Sequence, residues 1–173
     1  MARKKKSEMG PYEGLRVRGF VHLQVVNKKT GDIVGETHTH NVVTNYGKDE
    51  YIINRMAGLS GSVVAVDHLV LSEKTDAILS NHETIASEIG GRKLLADTTN
   101  AASNRKQLIT PGTLRFVCSW DGTDLGTDSP VTIGNIAAFN TNAAGSLMSG
   151  ASYVSSQWTS DQNVNATYEL QFS

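Results

Sequence analysis

The sequence has 173 residues, with 16 basic side chains, 17 acidic side chains and one cysteine. This length suits a single domain with a sizeable core, and the lone Cys118 excludes an internal disulfide and a cysteine-rich zinc module. Its apolar runs are far shorter than the ~20 residues that cross a bilayer, so we expect no membrane span and no export signal.

The basic charge is concentrated near the N-terminus. Residues 1–29 carry eight basic and two acidic side chains, and the rest of the chain is net acidic. We interpret residues 1–14 as an extended basic arm and residues 15–173 as one β-sandwich domain. A solvated tail is the alternative interpretation of the arm. The side chains predicted to bind a partner are Arg3, Lys4, Lys5, Lys6 and Tyr12.

The domain begins with a predicted β-hairpin. Apolar and polar residues alternate in "LRVRGFVHLQVV", which is the period of a half-buried strand, and a second extended stretch follows the turn "NKKTGD". Beyond it, Asn45 can cap a helix, and Ile52, Ile53 and Met56 recur at helical spacing. We therefore predict one short α-helix over about residues 46–57.

The rest of the chain is predicted to be mostly strands. "SVVAVDHLVLSE" indicates a central strand, and a polar stretch after it predicts a helical turn near residues 83–89. Further strand candidates are separated by turn residues, with Pro111 expected at a sheet edge or a strand break. The final "NVNATYELQFS" alternates most clearly. Without a βαβ rhythm, this pattern predicts a mainly β fold, an antiparallel β-sandwich or jelly-roll-like domain.

Two histidines in "THTHN" form a candidate metal site. If this segment is a strand, His38 and His40 point to the same face. Symmetric copies of the chain could then share a transition metal through such pairs. The favoured interpretation is an exposed polar strand face, so no metal and no cofactor is predicted. The carboxylates of "DGTDLGTD" miss the calcium-loop spacing and are typical of turns.

The two tryptophans lie in different sequence contexts. Trp120 belongs to an apolar stretch and is predicted to be in the core, whereas Trp158, in the polar "SSQWTSDQN", is predicted to contact a partner or ligand. Exposed aromatic residues could also stack on sugars. No nucleophile elbow, phosphate-binding loop, zinc-protease motif or dinucleotide fingerprint occurs, so no catalytic residue is predicted and the chain is expected not to be an enzyme.

The order of these elements carries a resemblance to a known family. The segment "VVNKKTGDIVGETHTHNVVTNYGKDEYIINRMAG", then "ETIASEIGGRKL", "VTIGNIAAFN", "GSLMSGASY" and "NATYELQF", resembles small virion structural proteins of tailed bacteriophages, described as tail-fibre-like, minor structural or decoration proteins. The resemblance extends over nearly all of Leu15 to Phe172. It consists of turns and strands and contains no catalytic signature.

The resemblance implies a non-enzymatic virion component, assembled in the host cytoplasm. The short chain and its arm favour a capsid decoration (cement) protein that is anchored through the arm. A tail, neck, baseplate or fibre-attachment protein is the alternative, and a carbohydrate-binding β-sandwich used in host adsorption is the second alternative. The implied partners are the major capsid protein or tail and neck proteins, and other copies in a homotrimer. No membrane or nucleic-acid partner is expected.

Overall fold

The structure, a computed structural model, describes residues 17–48, 65–95, 104–140 and 145–173. The described residues form nine strands and one short helix, α1 (Asn45–Lys48). The strands are β1 (Val17–Asn27), β2 (Ile33–Val43), β3 (His68–Ser72), β4 (Glu88–Leu94), β5 (Arg105–Thr110), β6 (Thr113–Trp120), β7 (Val131–Phe139), β8 (Leu147–Trp158) and β9 (Gln162–Phe172). All strand pairs are antiparallel, in the order β4-β3-β7-β8-β2-β1-β9-β6-β5. The predicted mainly β, antiparallel fold is therefore confirmed.

The sheet curls, so that its two halves face each other across the core. We call β2, β1, β9, β6 and β5 the open half, and β8, β7, β3 and β4 the covered half. The halves are joined where Val42 and Val43 at the end of β2 pair with Gly150 and Ser149 of β8.

Strand β1 lies in the interior of the open half, between β2 and β9. It pairs with β9 over its whole length, from Val17 opposite Phe172 to Asn27 opposite Gln162. Its predicted alternation is confirmed, because alternate side chains of β1 and β9 are buried in the core. These core side chains are Val21, Leu23, Val25, Val164, Ala166, Tyr168 and Leu170. The period of two thus places every other residue of both strands on the outer face.

The covered half owes its name to the loop of residues 73–87, which lies over its outer face. The loop side chain of Ile78 is 6% exposed and joins a second apolar cluster. Asp76 accepts a hydrogen bond from the Asn135 side chain, and Glu83 accepts one from the Leu147 amide, both through backbone carbonyls. The members of this cluster are Val70, Ile78, Ala137, Phe139 and Leu147, with Ile85 against them. Strands β3 and β7 are consequently buried on both faces.

A bulge in β4 closes the core over the two tryptophans. Gly90 and Gly91 have φ values of 68° and 66°, which only glycine adopts without strain. A Cβ on Gly90 would lie 2.9 Å from atoms of both Trp120 and Trp158. Trp120 donates its indole N–H to the Gly91 carbonyl at 3.1 Å. The bulge therefore lets the backbone of β4 approach two indole rings closely.

Two sequence-based predictions are wrong here. Trp158 is 0% exposed and donates its indole N–H to the Gln162 carbonyl, so it is a core residue and not a surface aromatic. Its polar neighbours misled the prediction, because Trp158 ends β8 with its ring directed inward under Gly90. The helical turn predicted near residues 83–89 is also absent, since β4 begins at Glu88 and Ser87 has a φ of 53°.

The predicted helix is observed only at its start. Helix α1 begins at Asn45, and Thr44 accepts a hydrogen bond from the Gly47 amide through its side-chain oxygen. The remainder of the predicted helix, and the arm at residues 1–14, lie outside the described residues. Within the described part of the chain, no helix combines the length and apolar character needed to span a membrane.

Candidate functional site

The outer face of the β1–β2 hairpin carries a cluster of polar side chains. The hairpin register places His22 opposite His38 and Gln24 opposite Glu36. Positions two apart on a strand share a face, so all four side chains project from the same side of the hairpin. That side is the outer one, because the alternate residues of β1 fill the core. Strand pairing thus brings together residues that are 14 positions apart in sequence.

Three of these residues, His22, Glu36 and His38, form a compact set of donor atoms; we call it the histidine cluster. One ring nitrogen of each histidine and one carboxylate oxygen lie within 4.8 Å of one another. Glu36 Oε1 is 2.7 Å from His22 Nε2 and 3.9 Å from His38 Nε2. The two imidazole rings are stacked, with centroids 4.1 Å apart and planes 10° from parallel. It is the one such donor group among the described residues.

The carboxylate of Glu36 is held by neighbours on the adjacent strand. Gln24 donates a side-chain N–H to Glu36 Oε1 at 2.9 Å. This hydrogen bond and the contact with His22 stabilise the ionised carboxylate, so they lower the pKa of Glu36 from its ordinary value. The cluster therefore presents a fixed negative charge beside two imidazoles. Its side chains remain accessible to solvent, and that of His38 is 71% exposed.

A shallow groove of about 450 Å³ runs beside the cluster across the open half. Arg115 and Glu169 line its far side, and they form an ion pair with a 2.6 Å contact. Phe20 forms part of its floor and lies against the His40 ring, with centroids 4.9 Å apart. The groove thus combines one aromatic surface, one neutralised ion pair and the imidazoles of the cluster.

The predicted histidines have different environments in the structure. His38 and His40 both project from the exposed face, as predicted for a strand. His38 joins the histidine cluster, whereas His40 packs on Phe20 and contributes no atom to it. Sequence reasoning missed His22 as a candidate ligand. The signal that could have found it is the hairpin register, which places His22 directly across from His38.

The other predicted site residues do not meet at this place. Trp158 is buried in the core, and Arg3, Lys4, Lys5, Lys6 and Tyr12 lie outside the described residues. The Cys118 thiol is fully buried, and burial raises its pKa to about 12. A thiol of this kind is unreactive at neutral pH because so little of it is ionised.

The acidic loop after β6 has a structural role. Asp121 caps the 3₁₀ turn Gly122–Leu125 through the Thr123 amide, and Asp124 accepts a hydrogen bond from the Asp121 amide. Each carboxylate also forms an ion pair with a lysine at 2.7 Å. Asp121 pairs with Lys28, and Asp124 pairs with Lys93. Both carboxylates therefore have partners within the protein, which is consistent with a structural role for the loop.

Comparison with known proteins assigns no family. No protein-family model and no curated protein matches the chain.

Proposed function

We propose that this chain is a non-enzymatic structural component of a tailed-bacteriophage virion, and that it decorates the capsid with its N-terminal arm as an anchor. The support from sequence is the ordered resemblance from Leu15 to Phe172. The support from structure is a mainly β, antiparallel body with a short helix after the first hairpin, which is the order of elements that the resemblance implies.

The observation that carries the proposal is an open apolar strand edge at β5. Strand β5 ends the sheet order, so no described strand pairs with the outer backbone edge of Leu108 and Ile109. Leu108 on this strand is 70% exposed and Ile109 is 41% exposed. Unpaired edges with apolar side chains favour addition of another chain, and isolated soluble domains usually avoid them. A protein that assembles with neighbours would cover this edge.

The arm supplies the second contact in this proposal. Arg3, Lys4, Lys5 and Lys6 form a basic run that would neutralise an acidic surface of the major capsid protein. Self-association into a homotrimer would bring several arms to one particle site, which raises the effective concentration of each arm. A neck, tail or baseplate location would use the same two contacts on different partners.

Electron microscopy of the virions, labelled with an antibody against this chain, tests the proposal. Label over the head surface is the expected result. Label confined to the tail, neck or baseplate would replace the decoration role with the alternative location. Virions that carry no label would overturn the structural role. Specific binding of the isolated protein to host polysaccharide, without label on virions, would favour the carbohydrate-binding alternative.

A binding assay with particles that lack the protein separates the two contacts. Removal of residues 1–14 is expected to weaken binding. Added salt should weaken the binding of the full chain to particles, because the electrostatic screening length falls below ~8 Å. Leu108→Lys at the β5 edge is expected to weaken binding or trimer formation by about tenfold or more. Thr110→Lys, at another exposed position of β5, is the matched control and should have a much smaller effect.

If neither removal of the arm nor Leu108→Lys changes particle binding, the two contacts proposed here are wrong.

A further inference from the structure

The donor atoms of the histidine cluster are those that transition metals prefer. Two imidazole nitrogens and one carboxylate oxygen form the ligand set of many zinc sites with an open fourth position, and imidazole also suits other late first-row metals. We propose that His22, Glu36 and His38 bind a divalent transition metal, with Zn²⁺ as the representative ion. This site is independent of the virion role proposed above.

The observed distances are close to those of a metal site. In a tetrahedral zinc site with bonds of 2.0–2.2 Å, ligand atoms are about 3.4 Å apart. Glu36 Oε1 lies at 2.7 Å from His22 Nε2 and at 3.9 Å from His38 Nε2, which are values on either side of that separation. A metal would replace the proton shared by His22 and Glu36. Because the two rings are stacked nearly parallel, one of them must turn out of the stack before both in-plane nitrogen lone pairs can point to one ion. The His38 side chain is 71% exposed, which leaves it room to turn.

The backbone beneath the cluster fixes its geometry. His22 lies on β1, which is paired on one side with β2 and on the other with β9. Sites on paired strands keep their ligand spacing better than sites on loops, because the ladder fixes the register. Gln24 donates to the Glu36 carboxylate and holds it toward the histidines. Such hydrogen bonds to ligating groups orient them and strengthen metal binding.

The exposure of the cluster determines what completes the coordination. His38 is 71% exposed and Glu36 is 45% exposed, so the metal would have at least one position open to solvent. Water fills that position in the isolated chain. The groove beside it contains Arg115 and Glu169, whose charges neutralise each other and add no net repulsion to a cation.

Calorimetric titration of the full chain, after removal of metals with a chelator, provides the test. One Zn²⁺ ion is expected to bind per chain. Mg²⁺ is expected not to bind because it prefers oxygen ligands. His38→Ala, His22→Ala and Glu36→Gln should each weaken Zn²⁺ binding by at least about tenfold. His40→Ala is the matched control, since His40 projects from the same face of β2 and should leave the affinity unchanged.

Histidine ring resonances in nuclear magnetic resonance spectra give a readout that needs no variant. The chain has five histidines, and Zn²⁺ should shift the ring signals of His22 and His38 and leave those of His68 and His82 in place. Absence of Zn²⁺ binding up to about 1 mM would overturn the proposal. So would binding that survives both His22→Ala and His38→Ala, or that is lost in His40→Ala.

Discussion

The two halves of the sheet differ in what lies on their outer faces. The outer face of the open half is accessible to solvent and carries the histidine cluster and its groove. The outer face of the covered half lies under the loop of residues 73–87, and a second apolar cluster fills the space between them. One architecture thus has a face available for recognition and a face that contributes to stability.

The sequences of the strands explain this difference. In β9 polar residues occupy every second position, and on the same face of β1 three of five residues are polar, Arg18, His22 and Gln24. The five residues of β3 are all buried, and β7 is buried from Ile133 to Phe139. Strands that are covered on both sides have apolar residues at successive positions. Polar chemistry is consequently concentrated on the open half.

The comparison is tested most strongly by a pair of phenylalanines on the two outer faces. Phe139 is fully buried under the loop, with the Arg92 guanidinium 3.8 Å from its ring centroid, whereas Phe20 is half-buried beside the groove. Phe139→Ala is expected to lower the free energy of unfolding by about 3–5 kcal/mol because it leaves a cavity. Phe20→Ala should change it by about 1 kcal/mol or less.

Urea denaturation of both variants measures these changes. If the free energy of unfolding falls equally in the two variants, the cover of the loop of residues 73–87 over Phe139 adds no stability beyond that of the partly exposed Phe20. In that case the distinction between the open and covered faces would be lost.

Two adjacent glycines in β4 test how tightly the edge of the covered half is packed. Gly90→Ala combines the strain of a left-handed residue with a collision against both tryptophans, so it should cost about 3 kcal/mol. Gly91→Ala introduces the same backbone strain with nothing within 4 Å of the new Cβ, and it should cost about 1–2 kcal/mol. Thermal unfolding distinguishes the two variants. If both variants unfold at the same temperature, the close packing of Gly90 against the two indoles does not contribute to stability.

The smallest expected effect is at the end of the molecule where three loops meet. Lys28 from the β1–β2 turn donates to the Asp121 carboxylate and to the Ser160 carbonyl between β8 and β9. Hydrogen bonds from Lys28 and from Thr123 lower the pKa of Asp121 to about 2. Because the folded pKa lies below the ordinary ~3.9, the pair stabilises the fold above pH 4, and this stabilisation is lost as the pH falls toward 2.

Asp121→Asn should therefore lower stability at pH 6 by no more than about 1 kcal/mol, since the carboxylate is half exposed and screened by water. The deficit should disappear near pH 2. Asp128→Asn, in the same exposed loop, is the control and should follow the wild type throughout. Urea titrations at several pH values measure both, and a deficit of constant size across this range would contradict the ionic explanation.

Local sequence pattern was sufficient for most strands of this fold. The period of two in β1 and β9 predicted both the strands and their buried residues, and Pro111 marked the turn between β5 and β6. The left-handed Gly31 (φ 76°) lies in the predicted hairpin turn. These features depend on neighbouring residues alone, which is why a single sequence was enough to predict them.

The candidate site was only partly predictable because it depends on register. A shift of one residue moves every side chain to the other face, and β1 and β2 contain a register shift between Val25 and Val26. Without the register, the sequence does not show that His22 lies opposite His38. Trp158 was misassigned for a similar reason, since its cover comes from Gly90, which is remote in sequence.

The pairing of β1 with β9 has a consequence for how the protein is made. The first described strand is held along its whole length by the last, with Val17 opposite Phe172. A ribosome must therefore release almost all of this sequence before the centre of the open half can form. Until then β1 has only its hairpin partner, and a lone hairpin is at best marginally stable in water. Pairings this distant in sequence also slow folding, so the edge of β1 that later pairs with β9 stays uncovered throughout this stage.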